Sequence, residues 1–568
     1  MPRTQRVVVV TGGATGIGAA IAEALGRSGA FVMTMDPVVS VDGSTRVAAS
    51  EQTTAGRIVE AGGAARASNT SVTDEDGVRG LFSGLVDEFG SLDAVVNVAG
   101  ISRPTGFAAG TEEDWAAVLS VHLDGYLNVL RAALPIMAAA GHGRILGVTS
   151  GSGWRAANAG AYSCAKRAVA ALTWQIGKAA PEGVTVNALS PIAATRMVTS
   201  GLAQPAAGAA GGGQPASTAT SGGLALGSLP PPENLGPVGA YLASDDFSWC
   251  SGQVIFSSGS ELAWITAPHL LEVARTADVK SLPHALETLV PGAFARAEGA
   301  QATNGGSNPR FGAIFDESPA DRDPALRAGR TCLIVTDDVA WGEAVSDALA
   351  SWGVECVGLG AWQDGRRGAA EIPSGFAAAA AEIARVAHDT GPIDAVVVAL
   401  AGAGAGGVAA AGIDRWQQIL DEHDGITDRI RTDAGWVRAV SDYAADTDRP
   451  VRVLTVTNAT TAGGRSRAQA AAQLARSAHL ATADRVDAFA ISVETAREAD
   501  RRSIADVVAH LVGDADVAAL SGAEFVAASG WFGLRSHPCP AGTISFGGPA
   551  IPDWLDDAVR RMVTGNTT

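Results

Sequence analysis

Residues 160–166 read Gly-Ala-Tyr-Ser-Cys-Ala-Lys and place a phenol and an ammonium four positions apart. On a helix, positions i and i+4 share one face, one turn apart. A lone phenol, with an ordinary pKa of about 10, is a poor acid or base at neutral pH. An ammonium fixed one turn away favours the phenolate and brings that pKa down. Tyr162 then serves as proton donor or acceptor, tuned by Lys166. With four tyrosines and three lysines in 568 residues, an accidental pair at this spacing is expected only about 0.02 times.

A pair of this kind needs a scaffold and a second reactant, and the chain before it supplies candidates for both. Val7-Val8-Val9-Val10-Thr11 reads as a buried strand. It runs into Thr11-Gly12-Gly13-Ala14-Thr15-Gly16-Ile17-Gly18 and then a helical stretch. Strand, glycine turn and helix N-terminus together make a cradle for a pyrophosphate, because glycines let the backbone approach and the helix dipole favours an anion. The next strand ends at Asp36, 20 residues beyond Gly16. A carboxylate there is placed to bond the adenosine ribose hydroxyls and to repel a 2′-phosphate. No Arg or Lys stands in the glycine turn or just after Asp36, so the expected cofactor is NAD rather than NADP. Further strands are expected over 92–97, 144–149 and 184–190, alternating with helices, which predicts a parallel doubly wound sheet. Ligands of such sheets lie beyond the carboxyl ends of the strands, where Asp36, Asn97, Ser150 and Pro191 all stand.

This set of motifs, in this order, resembles the short-chain dehydrogenase/reductase family over residues 5–260. The resemblance implies roles residue by residue. Tyr162 is the general acid/base, Lys166 lowers its pKa and holds the nicotinamide ribose, and Ser150 bonds the substrate oxygen. Gly12, Thr15, Gly16, Ile17, Gly18, Asp36, Ala99, Gly100 and Pro191 line the cofactor, Asn97 steadies the central strands, and Thr195 approaches the carboxamide. Three departures stand out. His122 takes the place of the family's usual Asn, which holds a water relay to the lysine, and is open to either a relay or a packing role. Ser71, ahead of Val72, replaces the acidic residue that touches the adenine. Ile192 follows Pro191 where glycine is usual. The glycine-rich wall and Trp154 suggest an apolar pocket, and the Gly/Ala/Ser-rich stretch 197–232 is expected to be a mobile lid over the substrate.

From residue 331 the alternation restarts. Ile393-Asp394-Ala395-Val396-Val397-Val398 mirrors 92–97, and Trp416 follows Asp394 by the interval that separates Trp115 from Asp93. This is an internal repeat of a whole domain. Its first turn, Thr336-Asp337-Asp338, lacks the glycines, Asn458 stands in Ser150's place, and no lysine occurs after Lys280. The expected architecture is therefore α/β: two doubly wound parallel-sheet Rossmann-type domains in tandem, the second degenerate. Residues 1–265 form the catalytic domain, 266–330 connecting helices and a linker, and 331–568 the degenerate copy. Family habit implies that the copy serves as a built-in partner, an intrachain pseudo-dimer on which a homo-oligomer is compatible.

Bulk properties narrow the partners. The net charge of -18 argues against nucleic acid and anionic membranes. No apolar run is long enough for a span. Five scattered cysteines without a Cys-x-x-Cys fit a reduced cytoplasm and give no metal site. The expected activity is NAD-dependent interconversion of a secondary alcohol and a ketone on a small, apolar substrate. An epimerase or lyase that retains NAD, and a non-catalytic nucleotide sensor, are the alternatives.

Overall fold

The computed structural model describes residues 5–48, 52–103, 106–155, 160–196, 219–221, 224–226, 229–275, 286, 290–303, 330–362, 371–401, 412–482, 485–514 and 516–565. The elements of the first half run β1 (Val7–Thr11), α1 (Gly16–Arg27), β2 (Phe31–Met35), α2 (Thr54–Glu60), β3 (Ala64–Ser68), α3 (Glu75–Phe89), β4 (Ala94–Asn97), α4 (Glu112–Leu119), α5 (Gly125–Ala140), β5 (Gly143–Val148), α6 (Gly160–Ala179) and β6 (Val184–Pro191). A short ribbon β7 (Ala219–Ser221) and β8 (Leu224–Leu226), then α7 (Gly236–Leu242), β9 (Val254–Ser257) and β10 (Glu261–Thr266) follow. The order β3-β2-β1-β4-β5-β6-β9 is parallel throughout. Every residue of β1, β2, β4 and β5 is buried, as strands covered by helices on both faces must be.

The second half runs β11 (Leu270–Arg275), α8 (Val290–Thr303), β12 (Arg330–Thr336), α9 (Val339–Ala350), β13 (Val354–Gly360), α10 (Phe376–Thr390), β14 (Ala395–Ala399), α11 (Arg415–Asp421) and α12 (Ile426–Thr447). It continues with β15 (Val451–Asn458), α13 (Ala462–Ala481), β16 (Val486–Val493), α14 (Arg501–Gly513), β17 (Glu524–Ala528), β18 (Trp531–Arg535), β19 (Cys539–Ser545) and α15 (Leu555–Thr564). Its sheet has the order β13-β12-β14-β15-β16-β17-β18-β11. The first-half pattern is thus repeated, without a described counterpart of β3.

The halves exchange their outermost strands. β10 turns back antiparallel on β9, and its other edge is taken by β19, near the end of the chain. Reciprocally, β11 leaves the first half and closes the edge of the second sheet against β18. The following helices go with them. Leu555 and Val559 of α15 pack against Val238, Tyr241 and Phe247 of the first half, and Asp556 accepts hydrogen bonds from Tyr241 and Trp249 at 2.7 and 2.9 Å. Val290 and Phe294 of α8 pack into the second-half core beside Phe525. Between the sheets, α6 lies along α13 and one apolar cluster joins α4, α5 and α6 to α10, α12 and α13. Trp115 meets Phe376 edge-on at 5.8 Å there.

Three expectations are corrected. The first sheet is not contained in residues 1–265, because β19 completes it. The region expected to hold connecting helices begins with a strand, β11. Leu270 and Val273 on it are exposed, and the strand pairs antiparallel with β18. The polar stretch beginning near residue 298 is helical as far as Thr303. The stretch expected to form a lid lies outside the described residues except at 219–221, 224–226 and 229–232.

Candidate active site

The glycine turn between β1 and α1 is shaped by close approaches that exclude side chains. Gly12 has φ +64°, and a Cβ there would lie 2.9 Å from the Ala99 backbone. A Cβ on Gly18 would meet the Gly12 carbonyl oxygen at 2.2 Å. Gly16 also lies in the left-handed region at φ +60°, below Thr195. Thr15 is the N-cap of α1, yet no side chain caps the helix and no acidic residue stands in its first turn. The terminal N–H groups are therefore open to an anion, with the helix dipole behind them. Ile17 packs into the adjoining core. Asp36, at the end of β2, accepts from the N–H groups of Ala14 and Val38 at 3.1 and 2.8 Å, which fixes its carboxylate beside the turn.

Asn97 ends β4 and accepts from the Thr11 hydroxyl at 2.7 Å, while the same hydroxyl accepts from the N–H of Ala99 at 3.1 Å. These bonds tie β1 to β4 and hold Ala99 and Gly100 over the turn. Ser71 lies at the rim, its hydroxyl 2.8 Å from that of Thr73. Val72 is buried and its carbonyl accepts from Asn128 at 2.9 Å. Pro191 closes β6.

Tyr162 and Lys166 stand on the first two turns of α6. The half-buried Tyr162 hydroxyl is hydrogen-bonded to Ser150, which caps the short turn after β5. Lys166 is buried, its ammonium 5.8 Å from the centre of the Tyr162 ring and donating to the Val148 carbonyl at 2.7 Å. The sequence implied a depressed phenol pKa. The structure gives the reverse: burial pushes the Tyr162 hydroxyl up, against a smaller lowering by Ser150. Burial also brings Lys166 down to about 7, so the cation that was to stabilise the phenolate is itself weakened. His122 occupies a π-helical turn between α4 and α5, a one-residue bulge of the kind found at functional sites. Its ring stands edge-on to Tyr162 at 5.2 Å, and its Nε2 lies 2.8 Å from the Ile101 carbonyl oxygen. Nδ1 has no partner among the described residues. Burial and then the Lys166 charge hold its pKa well below the usual imidazole value.

Trp154 does not line the site as expected. It is buried with Ala170, Trp174, Val254 and Ile265 behind α6, because its indole finds apolar cover there. Two residues passed over in the sequence reach the site. Arg196 donates to the Thr15 hydroxyl at 3.0 Å, placing a cation at the phosphate turn; its place after Thr195 was the only signal. Gln473, from the second half, donates to the carbonyls of Ser152 and Arg155 at 3.2 and 2.9 Å. Nothing in local sequence marks it, since the contact exists only once the halves pack.

The second half keeps a cleft of about 560 Å³ at the same strand ends, lined by Asp337, Trp341, Asn458 and Arg501 among others. Two of its backbone donors are already taken. Asp338 caps α9 by accepting from the Trp341 N–H at 3.1 Å, and Asp337 accepts from the Ala401 N–H at 2.7 Å. On α13, buried Arg467 pairs with Asp433 at 2.7 Å and donates to the carbonyls of Leu400 and Ala401.

The sequence model described as short chain dehydrogenase matches residues 6–205. A short-chain type dehydrogenase/reductase of Mycobacterium tuberculosis is 39% identical over 201 residues, 35% of this chain and 70% of that protein. The cis-4-hydroxycyclohexanecarboxylate dehydrogenase of Sinomonas cyclohexanicum is 36% identical over 264 residues, 46% of this chain and 97% of that one. The chain belongs, through its first half, to the short-chain dehydrogenase/reductase family, and it is an oxidoreductase of the nicotinamide-binding kind. The crystal structure of the N-domain of a bacterial malonyl-CoA reductase, solved with NADP, superposes with a TM-score of 0.60 at 18% identity and covers 90% of this chain and 95% of that one. The tandem fold is thus shared across both halves. No described helix is long and apolar enough to cross a membrane.

Proposed function

We propose that the chain is an NAD-dependent oxidoreductase that interconverts a secondary alcohol and a ketone in the cytoplasm, with all chemistry in the first half. The observation that carries this reading is the hydrogen-bonded Ser150–Tyr162 pair set over buried Lys166, two strands along the sheet from an uncapped helix N-terminus. The glycine turn fits a dinucleotide because its backbone approaches leave no room for side chains and its terminal N–H groups are open. Bound there, the dinucleotide supplies or accepts the hydride. Gly12, Thr15, Gly16, Ile17 and Gly18 would hold the pyrophosphate, Asp36 the adenosine ribose, and Ser71 and Val72 the adenine edge. Ala99, Gly100, Pro191 and Thr195 would flank the nicotinamide.

The chain's own residues handle the oxygen and the proton. Ser150 orients the substrate oxygen towards Tyr162. Tyr162, kept protonated by burial, gives its proton to a carbonyl oxygen in reduction and takes it back in oxidation. Lys166 holds the ribose and restores the proton, and His122 backs the Tyr162 ring. The preference for NAD is supported by the Asp36 carboxylate, which would repel a 2′-phosphate. The second half acts as a fixed intrachain partner: α13 covers α6, and the exchanged strands lock the pair into a pseudo-dimer.

The test is oxidation of a panel of secondary alcohols by the full chain with NAD and, separately, with NADP, followed by nicotinamide absorbance. Reduction of NAD in preference to NADP is expected. A preference for NADP contradicts the role given to Asp36. Turnover that survives Tyr162→Phe contradicts the role given to Tyr162.

A further inference from the structure

The turn after Ser150 carries a cation with no partner among the described residues. Arg155 comes back over the turn: its N–H donates to the Gly151 carbonyl at 3.0 Å. Its guanidinium lies against Gly151, so that a Cβ there would stand 2.2 Å from Nη2 and 2.9 Å from Cζ. Glycine at 151 is what makes room for the guanidinium one residue from Ser150. Gln473 clamps the same turn from the far side through the carbonyls of Ser152 and Arg155. The buried arginines are matched: Arg144 with Asp245, Arg167 with Glu524, Arg467 with Asp433 and Arg476 with Glu298, whereas Arg155 is only partly buried. The Arg155 guanidinium makes no hydrogen bond or ion pair with any described residue, and burial alone acts on its pKa, downwards. A cation partly withdrawn from water and without a counter-charge is left short of partners. A carboxylate would complete it with two parallel N–H···O bonds.

We propose that Arg155 is the subsite for an anionic group of the substrate, so that the alcohol or ketone handled at Tyr162 bears a carboxylate near its reacting carbon. The inference rests on the reading of Ser150 and Tyr162 as the reacting end of the site.

Titration calorimetry on the full chain saturated with NAD tests this, with benzoate and neutral benzamide as non-reacting probes. Benzoate is expected to bind roughly 10- to 100-fold more tightly than benzamide. Arg155→Gln removes that ratio and Arg155→Lys keeps part of it. Should the Gln variant not fold, the wild-type ratio and the Lys variant still decide. No difference between the probes in the wild type, absence of binding by both included, overturns the proposal, as does a benzoate preference that survives in Arg155→Gln. Inorganic phosphate competing more strongly than benzoate would overturn the carboxylate assignment. A chain that oxidises alcohols through Tyr162 yet shows no preference for the acid defeats this inference alone and leaves the assigned reaction standing.

Discussion

Both halves aim a helix N-terminus at the carboxyl ends of a parallel sheet, and they treat it in opposite ways. At α1 no side chain caps the helix, and glycines let the backbone come close. At α9 Asp338 supplies the cap and Asp337 consumes the neighbouring Ala401 N–H. Further in, Lys166 stands beneath Tyr162, whereas on α13 Arg467 and Asp433 satisfy each other and the Leu400 and Ala401 carbonyls. The same fold therefore yields an open site in one half and a self-satisfied one in the other. Function sits in a few side chains and backbone groups, not in the architecture.

The contrast can be broken at several points. The largest effect is expected at the acid/base itself: Tyr162→Phe should lower kcat by about 10²- to 10⁴-fold, measured with any alcohol the wild type accepts. Next, Arg467→Ala strands a buried Asp433 and should lower unfolding stability by roughly 3–5 kcal/mol in urea titrations, with kcat preserved. A comparable loss of kcat would show that the second half takes part in the chemistry. Gly18→Ala drives a methyl into the Gly12 carbonyl and should weaken dinucleotide affinity by roughly 10- to 100-fold, whereas Gly342→Ala, at the first turn of α9, should leave that affinity alone.

The smallest effect is a pH slope. Burial brings Lys166 from its ordinary 10.5 to about 7. Between those values the unfolded chain holds the proton and the folded chain does not, so stability rises with pH across that window. The penalty for the buried charge is complete below about 7. Lys166→Met should flatten this rise in urea midpoints measured from pH 7 to 10. An unchanged slope would mean that the ammonium is not desolvated as the structure shows.

The first half was largely legible because its signals are local. A β-branched strand, a glycine turn, Asn97 at a strand end and a Tyr-x-x-x-Lys each bind their meaning to a short stretch. The repeat in the second half was legible from spacing, through Asp394 and Trp416. The exchange of β11 and β19 was not. Leu270–Arg275 and Cys539–Ser545 are short edge strands, and their pairing is chosen by partners more than 250 residues away. The pKa of Tyr162 was misjudged for a related reason. Spacing shows that Lys166 is near, but it does not show that burial raises the phenol's pKa or that the ammonium is bonded to Val148. Arg155 and Gln473 escaped notice because their meaning depends on who fails to pair with them, or on contact across the halves.

The central claim is that only one of the two strand ends is open to a dinucleotide. Calorimetric titration of the full chain with NAD tests it directly. One binding site per chain is expected, lost in Gly18→Ala at the same concentrations. Two sites per chain, or one that persists undiminished in that variant, would contradict it.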